Sequence, residues 1–260
     1  MKPGENLVTV TEIIYTIFQK KELQNTMKNQ LDLIAKSYDR SIREHGKHDF
    51  PNYDNLPDYI TNNPDYPKYI AAVESGKGGS EYIEIKEYLK PDADKKFIDL
   101  GCALNLMFKG YDTWPSLYHG VDISPETIQL LYKYVENKKL PIGGLFCGSI
   151  HETLFEDSSF DIGACIGVLE YFEKEFVQKA IVEAHRIIKP SGKFVLDIPN
   201  INSSVGRIMM QIEEYIGRPD MFNILPYEFE NILQQYFEIE KKDGIYDDVG
   251  MIHYFLRCKK

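Results

Sequence analysis

The chain has 260 residues, of which 43% are hydrophobic, and a formal net charge of -10. Length and apolar content support one sizeable domain with a true core and room for a helical extension. The acidic balance and the scattered lysines argue against a surface that tracks phosphate backbones, so nucleic acid is not an expected substrate.

Residues 7 to 38 place apolar side chains at Val10, Ile13, Ile14, Ile17 and Phe18, then at Leu23, Met27, Leu31, Ile34 and Tyr38. This near-helical spacing predicts one long amphipathic helix or two shorter ones. No signal peptide is expected, because Glu12 interrupts the apolar run and no small-residue cleavage site follows it. No stretch approaches the apolar length that spans a bilayer. Between Glu44 and Pro67 the prolines Pro51, Pro57, Pro64 and Pro67 exclude a regular helix. Tyr53, Tyr59 and Tyr66 make the segment too aromatic for a disordered linker, so a packed loop with short helical turns is expected. Tyr69–Glu74 and Ser80–Leu89 read as helices on either side of Gly76–Gly79. The Lys77-Gly78-Gly79 element there lacks the spacing and context of a phosphate loop.

The organising stretch is Phe97 to Asp122. Phe97, Ile98 and Leu100 suit a strand buried on both faces, Gly101 permits a tight turn, a helical pattern follows, and Gly120-Val121-Asp122 ends a second strand. Open α/β sheets place ligands at the carboxyl ends of their strands. A carboxylate at Asp122 can there accept hydrogen bonds from both hydroxyls of a ribose, so the unit reads as a nucleoside cradle. Ser124 then caps a helix that starts at Pro125. Short strands are expected at Gly143–Cys147, Phe160–Ile166 and Lys193–Ile198. Helices are expected at Phe176–Ile188, ended by Lys189-Pro190-Ser191-Gly192, and at Pro226–Tyr236. Asn202–Met221 reads as an insertion. With its neighbour Phe222 it is rich in Met and aromatic residues, which suit either an apolar acceptor or simple core filling. Phe237–Asp243 and Met251–Cys258 form a closing strand pair. His185 and His253 read more readily as capping, packing or structural residues than as catalysts, and His151 more readily as an exposed residue or one bordering a nucleoside base. Cys102, Cys147, Cys165 and Cys258 are far apart with no C-x-x-C pair, which fits apolar filler in a reduced, cytoplasmic setting.

Four segments in order, Phe97–Asn105, Gly120–Pro125, Gly148–Phe172 and Ile187–Asn200, resemble the motifs of the class I S-adenosylmethionine-dependent methyltransferases. The resemblance covers about residues 80 to 258. It implies an α/β fold: a seven-stranded, mostly parallel Rossmann-like sheet with helices on both faces, a last strand antiparallel to the rest, and an N-terminal helical lid. Residues 1–79 would form that lid. Residues 80–260 would form the S-adenosylmethionine-binding domain, with a substrate-side insertion at 201–225. By the same resemblance Asp99, Gly101, Ala103, Asn105, Asp122, Ile123, Gly148, Ser149, Ile150, Gly167 and Leu169 hold the cofactor, and Tyr171, Glu170 and Tyr38 face the reaction, with no metal.

Ala103 and Asn105 replace the second and third glycines of the family loop, and Ser149 stands where an acid is usual. S-adenosylmethionine carries no phosphate, so one added methyl at Ala103 is tolerable. Asparagine is the side chain that most readily adopts left-handed backbone angles. The segment Gly167–Phe172 lacks the Asn or Asp, paired prolines and aromatic by which related enzymes grip planar amides or adenine amines. The missing three-glycine fingerprint speaks against a nicotinamide dehydrogenase. The expected reaction is in-line methyl transfer to oxygen, nitrogen or carbon of a small molecule. A protein or lipid-like acceptor is an alternative, as is a degenerate non-catalytic module that Ala103, Asn105 and Ser149 motivate. The N-terminal helices offer a homodimer surface.

Overall fold

The computed structural model describes residues 10–45, 55–74, 81–218, 221–244 and 250–260. The expectations at Pro51, Tyr53 and Gly76–Ser80, and the side chains expected to pack at Val10 to Leu23, lie outside the described residues. The centre is a seven-stranded sheet in the order β3-β2-β1-β4-β5-β7-β6. Its strands are β1 Lys96–Leu100, β2 Leu117–Asp122, β3 Gly144–Cys147, β4 Phe160–Cys165, β5 Ile188–Pro199, β6 Phe237–Asp243 and β7 Met251–Cys258. The first five run parallel, and β7 inserts antiparallel between β5 and β6. Strand order reverses between β1 and β4, which opens a crevice at their carboxyl ends.

Burial explains this arrangement. In β1 Phe97, Ile98, Asp99 and Leu100 are all at most 1% exposed, as an inner parallel strand covered on both faces requires. On one face lie α4 Glu81–Leu89, the one-turn α5 Asn105–Phe108 and α6 Pro125–Lys138; on the other lie α7 Lys174–Ile187 and α9 Pro226–Leu233. Helix α7 shows the pattern plainly: Phe176, Val177, Ala180, Ile181, Ala184 and Ile187 form one buried stripe. The N-terminal segment is one continuous helix, α1 Val10–His45, whose later half packs along α6.

Three local expectations change. The helical pattern after Gly101 condenses to α5 and a 3-10 turn at Tyr111–Thr113, because Gly110 adopts φ 71° and Pro115 lies just beyond. The space is filled instead by aromatic rings: Tyr111 packs on Phe97 at 5.1 Å and on Trp114 at 4.5 Å between centroids. The expected turn at Lys189–Gly192 is already strand, since Ile188 leaves α7 in extended geometry and pairs with Phe160 before a register shift. The 201–225 segment contains a regular helix, α8 Ser204–Tyr215, whose Ser203 cap accepts from the Gly206 amide at 2.8 Å. It packs on α2 Asp58–Thr61 and α3 Tyr66–Glu74, and Met209 joins that contact.

Candidate active site

A partly open pocket lies over the carboxyl ends of β1, β2 and β4. Its floor is Gly101, Ala103, Asp122, Ile123, Ser149 and Ile150. Helix α1 roofs it with Leu31, Ile34 and Tyr38, and the segment after β4 closes it with Gly167, Val168, Tyr171 and Phe172, joined by Phe176 of α7.

The loop after β1 takes its shape from hydrogen bonds. The Gly101 and Cys102 amides both donate to the Val121 carbonyl, at 2.8 and 2.9 Å, and the Ala103 amide donates to Asp122 Oδ2 at 2.8 Å. Gly101 has φ 73° and Ala103 has φ 40°, so the left-handed residues are Gly101 and Ala103, whereas Asn105 opens α5. The Asn105 side chain does different work. Its Nδ2 donates to both Asp99 oxygens, at 3.3 and 3.2 Å, while Tyr118 Oη donates to Asp99 Oδ2 at 2.9 Å. Asparagine thus serves as a strut beneath the loop, and Leu104 is buried in the core on the same side. Neither side chain lines the cavity.

Burial pushes the Asp99 carboxyl up to about 7, against the lowering effect of Tyr118 and Asn105. Burial likewise raises Asp122 to about 6, opposed by the amides of Ser124 and Ala103. A folded-state pKa above the unfolded value means stability that is present at low pH and lost as pH rises through the folded pKa. Asp99 therefore penalises the fold increasingly between about pH 4 and 7. Denaturant titrations at pH 5 and pH 8 should show Asp99→Asn losing less stability across that interval than the native chain. Equal losses would remove Asp99 from this role.

Asp122 Oδ1 accepts from the Ser124 amide at 2.9 Å, so each oxygen holds one amide and keeps a second lone pair. The carboxylate lines the cavity at the tip of β2. Gly148 donates its amide to the Asp122 carbonyl at 2.8 Å, which ties β3 to β2 outside the cavity wall. Ser149 Oγ bonds His151 Nδ1 at 2.6 Å.

At the other end Tyr38 and Tyr171 share a hydrogen bond of 3.2 Å between their hydroxyls, and Tyr171 Oη donates to Glu213 Oε2 at 3.4 Å. Burial raises both phenols, which keeps them protonated, and raises Glu213 as well. One face of the Tyr38 ring is covered by the Arg218 guanidinium, 4.4 Å from its centroid. Gln30 Nε2 donates to the Tyr171 carbonyl at 2.7 Å. Glu170 is 7% exposed, and its carbonyl accepts from the Met221 and Phe222 amides.

Of the residues expected to hold a cofactor, Gly101, Ala103, Asp122, Ile123, Ser149, Ile150 and Gly167 meet at the cavity. Asp99, Asn105, Gly148 and Leu169 support it from behind, with Leu169 in the core. Tyr38 and Tyr171 line it; Glu170 stands behind Gly167. The methionines named at 209, 210 and 221 line none of it. Leu31 and Ile34 are wall residues that the sequence marked only as apolar positions of a helix. Glu213, Arg218 and Asp39 carried no sequence signal, since their partners are distant in the chain.

The comparisons agree with this geometry. Residues 98–196 match a protein family described as "Methyltransferase domain". An uncharacterised methyltransferase of Schizosaccharomyces pombe is 28% identical over 203 residues, 74% of this chain and 73% of that one. An uncharacterised protein of Methanocaldococcus jannaschii is 28% identical over 144 residues, 54% of this chain and 58% of that one, so the match spans little more than half of that relative. Among solved structures, geranyl diphosphate C-methyltransferase of Streptomyces coelicolor, in complex with S-adenosyl-L-homocysteine, aligns with a TM-score of 0.60 at 12% identity. That alignment covers 88% of this chain and 97% of the other. A protein of Pyrococcus horikoshii aligns with a TM-score of 0.56 at 20% identity, covering 78% and 96%. At these identities the structures show a shared fold.

Proposed function

We propose, because residues 98–196 match a family described as "Methyltransferase domain", that this chain is a class I S-adenosylmethionine-dependent methyltransferase and methylates a small molecule by in-line displacement. One observation carries this reading. The cavity joins a strand-tip carboxylate with free lone pairs, Asp122, to a wall of hydroxyls, Tyr38 and Tyr171.

The residues present fit S-adenosylmethionine. Leu104 and Asn105 turn away from the cavity, leaving only the methyl of Ala103 on that part of the floor. Bound there, the cofactor supplies a methyl group on a sulfonium centre. Asp122 is placed to accept from ribose hydroxyls, and Ile123 and Ile150 offer apolar sides to a base. Ser149 offers a hydroxyl where the family usually has an acid. Helix α1 covers the cavity with Leu31, Ile34 and Tyr38, so positioning and exclusion of water by a seated cofactor would supply most of the rate. Tyr171 and Tyr38, held neutral, can orient an acceptor. Where the acceptor arrives protonated, Tyr171 Oη can take its proton while passing its own to Glu213 Oε2. Glu170 adds negative charge beside both phenols.

Calorimetry with S-adenosylmethionine, followed by transfer of a labelled methyl group to separate pools of metabolites, proteins and lipids, tests the proposal. Micromolar binding with label in the metabolite pool is expected. Label in the protein or lipid pool would move the acceptor class, and no heat of binding would overturn the reading.

A further inference from the structure

The contact between the roof and the floor of the cavity is made by a residue with no assigned role. Asp39, on α1, accepts through Oδ1 from the Ser124 hydroxyl at 2.6 Å and from the Glu126 amide at 3.2 Å. Ser124 is fully buried and donates its own amide to Asp122. One residue therefore links Asp39 to the carboxylate proposed to hold the ribose. Leu31, Ile34 and Tyr38, which close the cavity, belong to the same helix, and Gln30 and Tyr38 fasten it on the opposite side to Tyr171.

We propose that Asp39 is a positioning residue for the cofactor: it clamps α1 onto the start of α6, and a bound cofactor leaves only when that clamp opens. The inference rests on reading the cavity as the S-adenosylmethionine site. A charge-assisted bond to a buried hydroxyl is stronger than a neutral one. The neighbouring pair Arg43–Glu126, 3.4 Å apart with side chains 56% and 34% exposed, is the kind of surface contact that contributes little. The clamp can also be broken without unwinding the helix, because alanine is a better helix former than aspartate.

The test measures stopped-flow dissociation of S-adenosylhomocysteine from the full chain, with hydrogen exchange over residues 27–45 as a second readout. Asp39→Ala should raise the dissociation rate at least tenfold and speed exchange in that segment. Asp39→Asn keeps a carbonyl acceptor for Ser124 and should recover most of the native rate, whereas Arg43→Ala should stay within twofold. A purely structural role would lower the melting temperature without this pattern. Native-like dissociation from Asp39→Ala overturns the clamp. If the native chain binds no S-adenosylhomocysteine, the cofactor reading fails instead, and unchanged exchange in Asp39→Ala then refutes the clamp on its own.

Discussion

Asp122→Ala is expected to lower the affinity for S-adenosylmethionine by about 100- to 1000-fold. Two ribose hydroxyls donating to a carboxylate contribute about 1.5 to 3 kcal/mol each at most, and a combined loss of roughly 3 to 4 kcal/mol corresponds to that factor. The substitution also strips acceptors from the Ala103 and Ser124 amides, so the loop loses its anchor together with the sugar contact. Calorimetry reads the change directly, and an affinity within threefold of the native chain would remove Asp122 from the site. The native affinity should also depend on pH. With the free carboxyl titrating near 6, binding should be level above that value and weaken below it as the carboxylate is protonated.

Gly101→Ala is expected to destabilise the chain by about 2 to 5 kcal/mol. The backbone there has φ 73°, which costs a non-glycine residue roughly 1 to 2 kcal/mol. An added Cβ would also lie 2.3 Å from Val168 Cγ2, and overpacking of this kind typically costs about 1 to 3 kcal/mol. Chemical denaturation should show the loss. Adding Val168→Ala should recover the steric part and leave the backbone part. A single variant as stable as the native chain would mean that the loop does not pass this close to the turn after β4.

The sequence made the floor legible where function and local geometry coincide. Ser124 and Pro125 announced a helix start, and Ser124 Oγ does accept from the Thr127 amide at 3.0 Å. Asp122 was identifiable because a strand that ends in an acid puts a carboxylate at the ligand edge. The seven strands followed from runs of apolar residues, and the antiparallel last strand from the family resemblance. Less legible was anything decided by a partner far along the chain. Asn105 looked like a stand-in for glycine, yet its side-chain amide donates to Asp99, which Tyr118 also holds, and the left-handed turn falls to Gly101 and Ala103. Methionines in the 201–225 segment suggested an acceptor wall, but α8 spends Met209 on its contact with α2 and α3. Glu213 and Asp39 sit among many similar acids in an acidic chain. Only the folded arrangement sets Glu213 against Tyr171 and Asp39 against Ser124.

The long first helix also has a consequence for the order in which the molecule is built. Its hydrogen bonds reach partners 85 residues away at Ser124 and 141 residues away at Tyr171, and closing such loops carries an entropy cost that only an assembled docking surface can offset. Although synthesised ahead of every strand, α1 must wait for β2 and β4 before it has anywhere to settle. Docking of α1 is therefore expected to follow the pairing of the strands that carry its partners.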